Sequence, residues 1–192
     1  MPTDRPKRRP LRRRGAALAA AGALALMLTG CVGAPGAAPT PTPTEAAPIF
    51  ASDEEALAAA ESAYAQYHAM SSDATSKGKV PAGAENVAVG EALDLVNEAV
   101  QNLNSDGLVT VGKPSFSIHE LQSNEFDQVH GSVVAFYVCD DLRGVDVVDE
   151  KGVSVVRADR VEDVPYLVVA EGQGEVLRVS TKQLWERENF CL

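Results

Sequence analysis

Few side chains in this 192-residue chain could do chemistry: three cysteines, three histidines and four tyrosines. Cys31 is the most informative of them. It closes Leu28-Thr29-Gly30-Cys31, after a basic start (Arg5, Lys7, Arg8, Arg9, Arg12, Arg13, Arg14) and an apolar run from Ala16 to Leu28. That is the layout of an export signal. The run is too short for a spanning helix, which needs ~20 apolar residues. The histidines, His68, His119 and His130, stand singly, and no Cys-x-x-Cys or His-Glu-x-x-His pair occurs. The acidic residues also lack the spacing of a calcium loop, so no metal is expected. Phosphate-cradling Gly-x-Gly-x-x-Gly and Gly-Lys-Ser/Thr loops are missing, as is the Gly-x-Ser-x-Gly elbow of hydrolases, and no cofactor is expected. No histidine is placed near a cysteine in sequence to lower its pKa, which disfavours a catalytic thiol.

The segment ending at Cys31 resembles the lipobox of bacterial lipoproteins. The resemblance implies that the Cys31 thiol takes a diacylglyceryl group and that residues 1–30 are cut away. Cys31 is then the first residue, and a lipid bilayer is its partner. Two or three acyl chains anchor firmly, at roughly 0.8 kcal/mol per buried methylene, whereas one binds marginally. The implied location is the outer face of the cytoplasmic membrane. The arginine pairs lack the hydrophobic pair that usually follows them in twin-arginine signals. General secretion is favoured, and the twin-arginine route stays open.

Removing the first thirty residues takes away seven basic residues and one acidic one, so the formal net charge moves from −10 to −16. Nucleic acid and anionic membrane surfaces would both repel such a chain, and no nucleic-acid partner is expected. From Val32 to Pro48 the residues are almost all Ala, Gly, Pro and Thr, including Pro39-Thr40-Pro41-Thr42-Pro43-Thr44. This stretch has little to bury. Its prolines favour polyproline II at ~3.1 Å per residue, so residues 31–48 read as a lipidated cysteine followed by a tether.

Residues 49–192 are left as one domain. Ser52 is a good N-cap with Glu55 three residues on, and Asp53 and Glu54 load the first turn. Leu57, Ala60, Tyr64 and Tyr67 then share a helical face, and the helix is expected to fade at Ser71-Ser72-Asp73. A second helix carries Leu93, Val96, Val100 and Leu103 and stops between Asn104 and Gly107. After Gly107 the spacing is that of strands: Leu108–Leu121, Gln128–Cys139, Val145–Val148, Val153–Val156, Pro165–Ala170 and Glu175–Thr181. Asp149-Glu150-Lys151-Gly152 and Gly172-Gln173-Gly174 read as hairpin turns. With no helix between strands the class is α+β, with two or three N-terminal helices on a curved antiparallel sheet. In an oxidising compartment Cys139, ending a long strand, and Cys191, next to the last residue, are expected to form a disulfide.

Helices first, then a long strand after Gly107-Leu108 and an antiparallel meander, resemble the nuclear transport factor 2-like cone of ketosteroid isomerase-like and polyketide cyclase-like proteins. The chain also resembles a group of lipoproteins of unassigned activity from high-GC Gram-positive bacteria. That likeness rests on Glu54-Glu55-Ala56-Leu57 leading to Ala63-Tyr64, on Tyr137-Val138-Cys139 followed by Gly144 to Asp149, and on Trp185 to Cys191. The cone implies an interior pocket that Tyr64, Tyr67, His119 and Tyr137 could line. None of these residues matches a catalytic motif, and no catalytic residue is assigned. Two functions follow. The favoured one is a non-catalytic envelope domain that binds a small molecule, a peptide or an envelope protein. The alternative is a cone-fold enzyme of isomerase, cyclase or dehydratase type acting on a small apolar molecule.

Overall fold

Ser52 begins the first helix as its sequence demands: its Oγ accepts the Glu55 amide at 3.2 Å, while Glu55 Oε2 accepts the Ala51 amide at 2.8 Å. Two otherwise orphaned donors are thereby satisfied. A computed structural model describes residues 49–192. The leader at 1–30, Cys31 and the tether expected at 31–48 lie outside the described residues. Helix α1 (Asp53–Lys77) passes its expected end at Ser71-Ser72-Asp73 and stops at Gly78, whose φ of 63° lets Lys79 donate to the Ala74 carbonyl at 3.0 Å. Burial explains the added turns, because Met70 and Ala74 prolong the buried stripe of Ala56, Ala60, Ala63, Tyr64 and Tyr67. Helix α2 (Gly90–Ser105) buries Ala92, Val96 and Val100 and ends as expected before Gly107.

Six strands follow: β1 (Val109–Gly112), β2 (Ser115–Asp127), β3 (Gly131–Asp141), β4 (Val145–Val148), β5 (Asp163–Gly172) and β6 (Arg178–Leu184). Strands β2-β3-β5-β6 form an antiparallel meander, and β1 pairs with β4 in a separate two-stranded sheet. The class is α+β, with α1 and α2 packed against the antiparallel sheet. Val87 and Val89 flank a parallel bridge to Val179 on β6, with backbone bonds of 3.0 and 2.9 Å that occupy part of that sheet edge.

Two strand expectations fail and two shift: β3 starts at Gly131 and not at Gln128, and β6 runs Arg178–Leu184 and not Glu175–Thr181. Leu108–Leu121 is not one strand. It breaks at Lys113-Pro114, where proline has no amide to donate, and β1 leaves for β4. The second half becomes the long β2, which runs on to Asp127. There Asp127 Oδ1 accepts the Val129 and His130 amides at 2.8 Å each and turns the chain into β3. Gly131 completes that turn at φ 84°, where a Cβ would run into the Gly172 carbonyl. Val153–Val156 is not a strand either and makes a single bridge, Ser154 to Val148. Asp149 Oδ1 takes the Lys151 and Val153 amides instead, and Val153 and Val155 remain exposed. A local aspartate competes with the ladder, and nothing apolar lies over the valines to decide for the sheet.

Alternation fixes which side chains reach the core. On β3, Val134, Phe136, Val138 and Asp140 point at the helices, while Val133, Tyr137 and Cys139 point away. On β6 an extra residue, Ser180, interrupts the pairing between Val179–Ala170 and Thr181–Val169. The bulge resets the alternation, so that Lys182, opposite the buried Val168, points inward. At the end of β3, Cys139 and Cys191 are joined by a disulfide, with Cα atoms 5.5 Å apart.

Candidate functional site

The inward face of β3 is apolar from Val134 through Phe136 to Val138 and then presents Asp140, which is 4% exposed. A carboxylate that deep survives only if its lone pairs are met. Tyr64, fully buried on α1, donates its hydroxyl to Asp140 Oδ1 at 2.8 Å, and Lys182 on β6 places Nζ 2.7 Å from Oδ2. Between β3 and β6 runs β5, and Lys182 crosses it over the Tyr166 ring, 4.0 Å from the centroid. The ammonium is therefore held by a carboxylate and by a π face at once. Phe116 and Phe136 meet Tyr64 edge-on, at 5.0 and 6.1 Å between centroids, and fix its ring.

One helical turn beyond Tyr64, His68 sets Nε2 4.0 Å from Asp140 Oδ1, too far for a hydrogen bond. Burial holds the His68 pKa below its ordinary value and Lys182 adds to that, with Asp140 opposing, so the ring is neutral at pH 7. Burial raises Tyr64 and Tyr67 well above an ordinary phenol, assisted by the Asp140 charge, and Tyr166 is pushed up to about 12 for the same two reasons. All three stay protonated.

Beside the cluster a cleft of about 180 Å³ opens between α1, the β1–β4 pair and the sheet. Its polar lining includes Tyr67, His68, Ser71, Ser72, Asp140 and Lys182, and its apolar lining includes Pro114, Leu142 and Val145. Thr75 and Thr110 share a hydrogen bond of 2.8 Å. Tyr67 differs. It is 3% exposed, yet among the described residues its hydroxyl makes no hydrogen bond, and neither does the His68 ring. The Tyr67 ring is buried while its hydroxyl reaches the cleft, so water or a ligand there can supply the partner that the protein does not.

The four residues expected to share one pocket do not share it. Tyr64 and Tyr67 lie on the inner face. His119 and Tyr137 lie on the outer face, where Tyr137 packs on Trp185 at 5.0 Å and His119 stacks on Phe190 at 4.7 Å. The cause is geometric. Tyr137 has the opposite parity to Asp140, and His119, the extra residue of a β2 bulge between Ile118 and Glu120, has the opposite parity to Phe116 and Ile118. His130 sits in the β2–β3 turn, with Nδ1 2.9 Å from Asp127 Oδ1.

Sequence reasoning missed Asp140, Lys182, Tyr166 and the placing of His68. Asp140 had a legible signal, an acid continuing the inward series Val134, Phe136, Val138. Lys182 had none, because only the bulge at Ser180 turns it inward.

No protein-family model matches the chain, and no curated protein matches it. Among solved structures, the intermembrane space region of chloroplast protein ARC6 aligns at 12% identity over 65% of this chain and 92% of that one, with a TM-score of 0.43. A likeness so slight transfers neither fold nor function.

Proposed function

We propose that this is an exported, lipid-anchored binding domain that holds a small polar molecule in the inner cleft without transforming it. In this reading the fold is a nuclear transport factor 2-like cone and acylated Cys31 ties the protein to the outer face of the cytoplasmic membrane. The observation that carries the reading is the state of Asp140. A cone-fold isomerase, cyclase or dehydratase would need a carboxylate with an oxygen free to take a substrate proton. Asp140 is 4% exposed, and each of its oxygens already accepts one bond, from Tyr64 and from the Lys182 ammonium, which leaves it little room to approach a substrate. The Tyr67 hydroxyl and the His68 ring, with the Ser71 and Ser72 side chains beside them, are left to meet a ligand, and they suit hydrogen bonding to a neutral carbonyl or hydroxyl compound. A second anion would leave uncompensated charge beside the Asp140–Lys182 pair.

Tyr67→Phe separates binding from folding. Losing a hydroxyl that has no protein partner is expected to leave the urea midpoint unchanged or slightly raised. Affinity for small carbonyl and hydroxyl compounds, screened by ligand-observed NMR, should fall about fivefold to tenfold, the worth of one neutral hydrogen bond. Full retention of every hit would remove the cleft from consideration. A marked loss of stability would show the hydroxyl to be structural.

Cys31→Ala tests the anchor independently. Metabolically labelled palmitate should vanish from the protein, and the protein should appear either uncleaved or free in the medium, since no second anchoring chain remains. Unchanged labelling and unchanged detergent partitioning would refute the anchor while leaving the cleft untouched.

A further inference from the structure

On the outer face of the sheet the chain builds a second, open cleft that the inner one does not explain. About 390 Å³ in volume, it is lined by Tyr137, Trp185 and Phe190, with Glu120 and Glu188 beside them. The rings meet edge to face or tilted, Tyr137 to Phe190 at 5.5 Å and Trp185 to Phe190 at 6.3 Å. They are held by the Cys139–Cys191 bridge at one end of the tail and by Trp185 N–H donating to the Pro165 carbonyl at 2.9 Å at the other. A second cleft of about 410 Å³ adjoins it, sharing His119 and Phe190, so the two form an elongated groove across β2.

We infer that this groove binds a cationic segment of another polypeptide, with a lysine or arginine laid on the aromatic faces between Glu120 and Glu188. Electrostatics and ring chemistry point the same way. Glu120 and Glu188 are exposed and make no ion pair among the described residues, whereas Asp141 and Asp163 in the adjoining cleft are already paired with Arg143. Trp185 has a cation on its face now: Arg187 Cζ lies 5.0 Å from the ring. The chain's own arginine thus occupies the place where an incoming cation would gain most, and an arriving residue must displace it. An acidic chain attracts such a partner from a distance, and the preformed rings give it a place to settle. An aromatic groove with an acidic rim repels an acidic or phosphorylated peptide.

The experiment uses the mature chain and exploits its single tryptophan, Trp185. Capped peptides alternating lysine with phenylalanine, glutamine with phenylalanine, and glutamate with phenylalanine are titrated while Trp185 fluorescence and calorimetric heat are followed. The lysine peptide should bind saturably, weaken with salt, and exceed the glutamine peptide at least tenfold, and the glutamate peptide should not bind. Glu120→Gln and Glu188→Gln should each weaken the lysine peptide by roughly threefold, the size of an exposed ion pair. Arg187→Gln should tighten it by a similar factor, because the resident cation is gone. Equal binding of the lysine and glutamine peptides, or no binding of either, overturns the inference. Indifference to Glu120→Gln and Glu188→Gln overturns it too, because the attraction then belongs to the net charge and not to this groove. Weaker binding after Arg187→Gln would show that Arg187 holds an anion there, which also refutes the cationic occupant.

Discussion

Asp140→Asn is expected to destabilise the domain by about 3 kcal/mol, and Lys182→Met by about 4–5 kcal/mol, with the double variant costing less than either alone. The asymmetry comes from depth. The Asp140 side chain is 5% exposed and the Lys182 side chain 16%. An unpaired ammonium at Lys182 can draw water from the cleft, while an unpaired carboxylate at Asp140 keeps only the Tyr64 hydroxyl. Asparagine preserves an acceptor for Tyr64, and methionine preserves a flexible apolar stem over Tyr166, so each substitution removes charge and little packing. With both charges gone, neither desolvation penalty remains, and the coupling between the two sites should be at least about 4 kcal/mol by urea unfolding. Additive single losses would show that the pair is not the electrostatic unit its geometry describes.

Much of the architecture was legible because it rests on local signals that tertiary packing reinforces. Ser52 and Glu55 set the start of α1, and Val96 and Val100 set the buried face of α2. The two aromatic residues expected inside on α1 are inside. The strand and helix bounds missed at Pro114, Asp149 and Ser71 have their own local causes, while the inward face of β6 was hidden by register. A period of two assigns faces only while the ladder is regular, and here β2 carries extra residues near His119 and Gln122 while β6 carries one at Ser180. Each slip reverses the faces of everything beyond it. Lys182 went unnoticed for that reason, whereas alternation from Phe116 and Ile118 already puts His119 on the outer face with Phe190. Asp140 was legible in principle. An acid in an inward series of valine and phenylalanine requires a cationic or hydroxyl partner, and Tyr64 was already assigned to the facing helix.

Replacing both Cys139 and Cys191 by alanine is expected to cost about 4 kcal/mol, because their bridge closes a loop across a separation of 52 residues, and releasing it returns that freedom to the unfolded chain. The loss should appear as a lower urea midpoint. Local effects should go further than the global number. Trp185 stays tied to Pro165 by its amide, but Phe190 is held over His119 and Tyr137 by a short tail that Cys191 fastens on one side and the Asn189 Nδ2 bond to the Asp163 carbonyl, at 3.0 Å, on the other. Without the bridge the tail should fray, Trp185 emission should move to the red as Phe190 leaves, and limited proteolysis should cut between Glu186 and Leu192 while the rest of the domain persists. The two faces of the sheet then give opposite answers. Asp140, beside Cys139 but of opposite parity, belongs to the inner cluster, so small-molecule binding in the inner cleft should survive at temperatures where the variant remains folded, and peptide binding in the outer groove should be lost. Simultaneous loss of both in folded protein would mean that the bridge organises the sheet itself. A stability within about 1 kcal/mol of the parent protein, set against the chain-entropy expectation, would mean that the tail is held by its aromatic contacts and the Asn189–Asp163 bond.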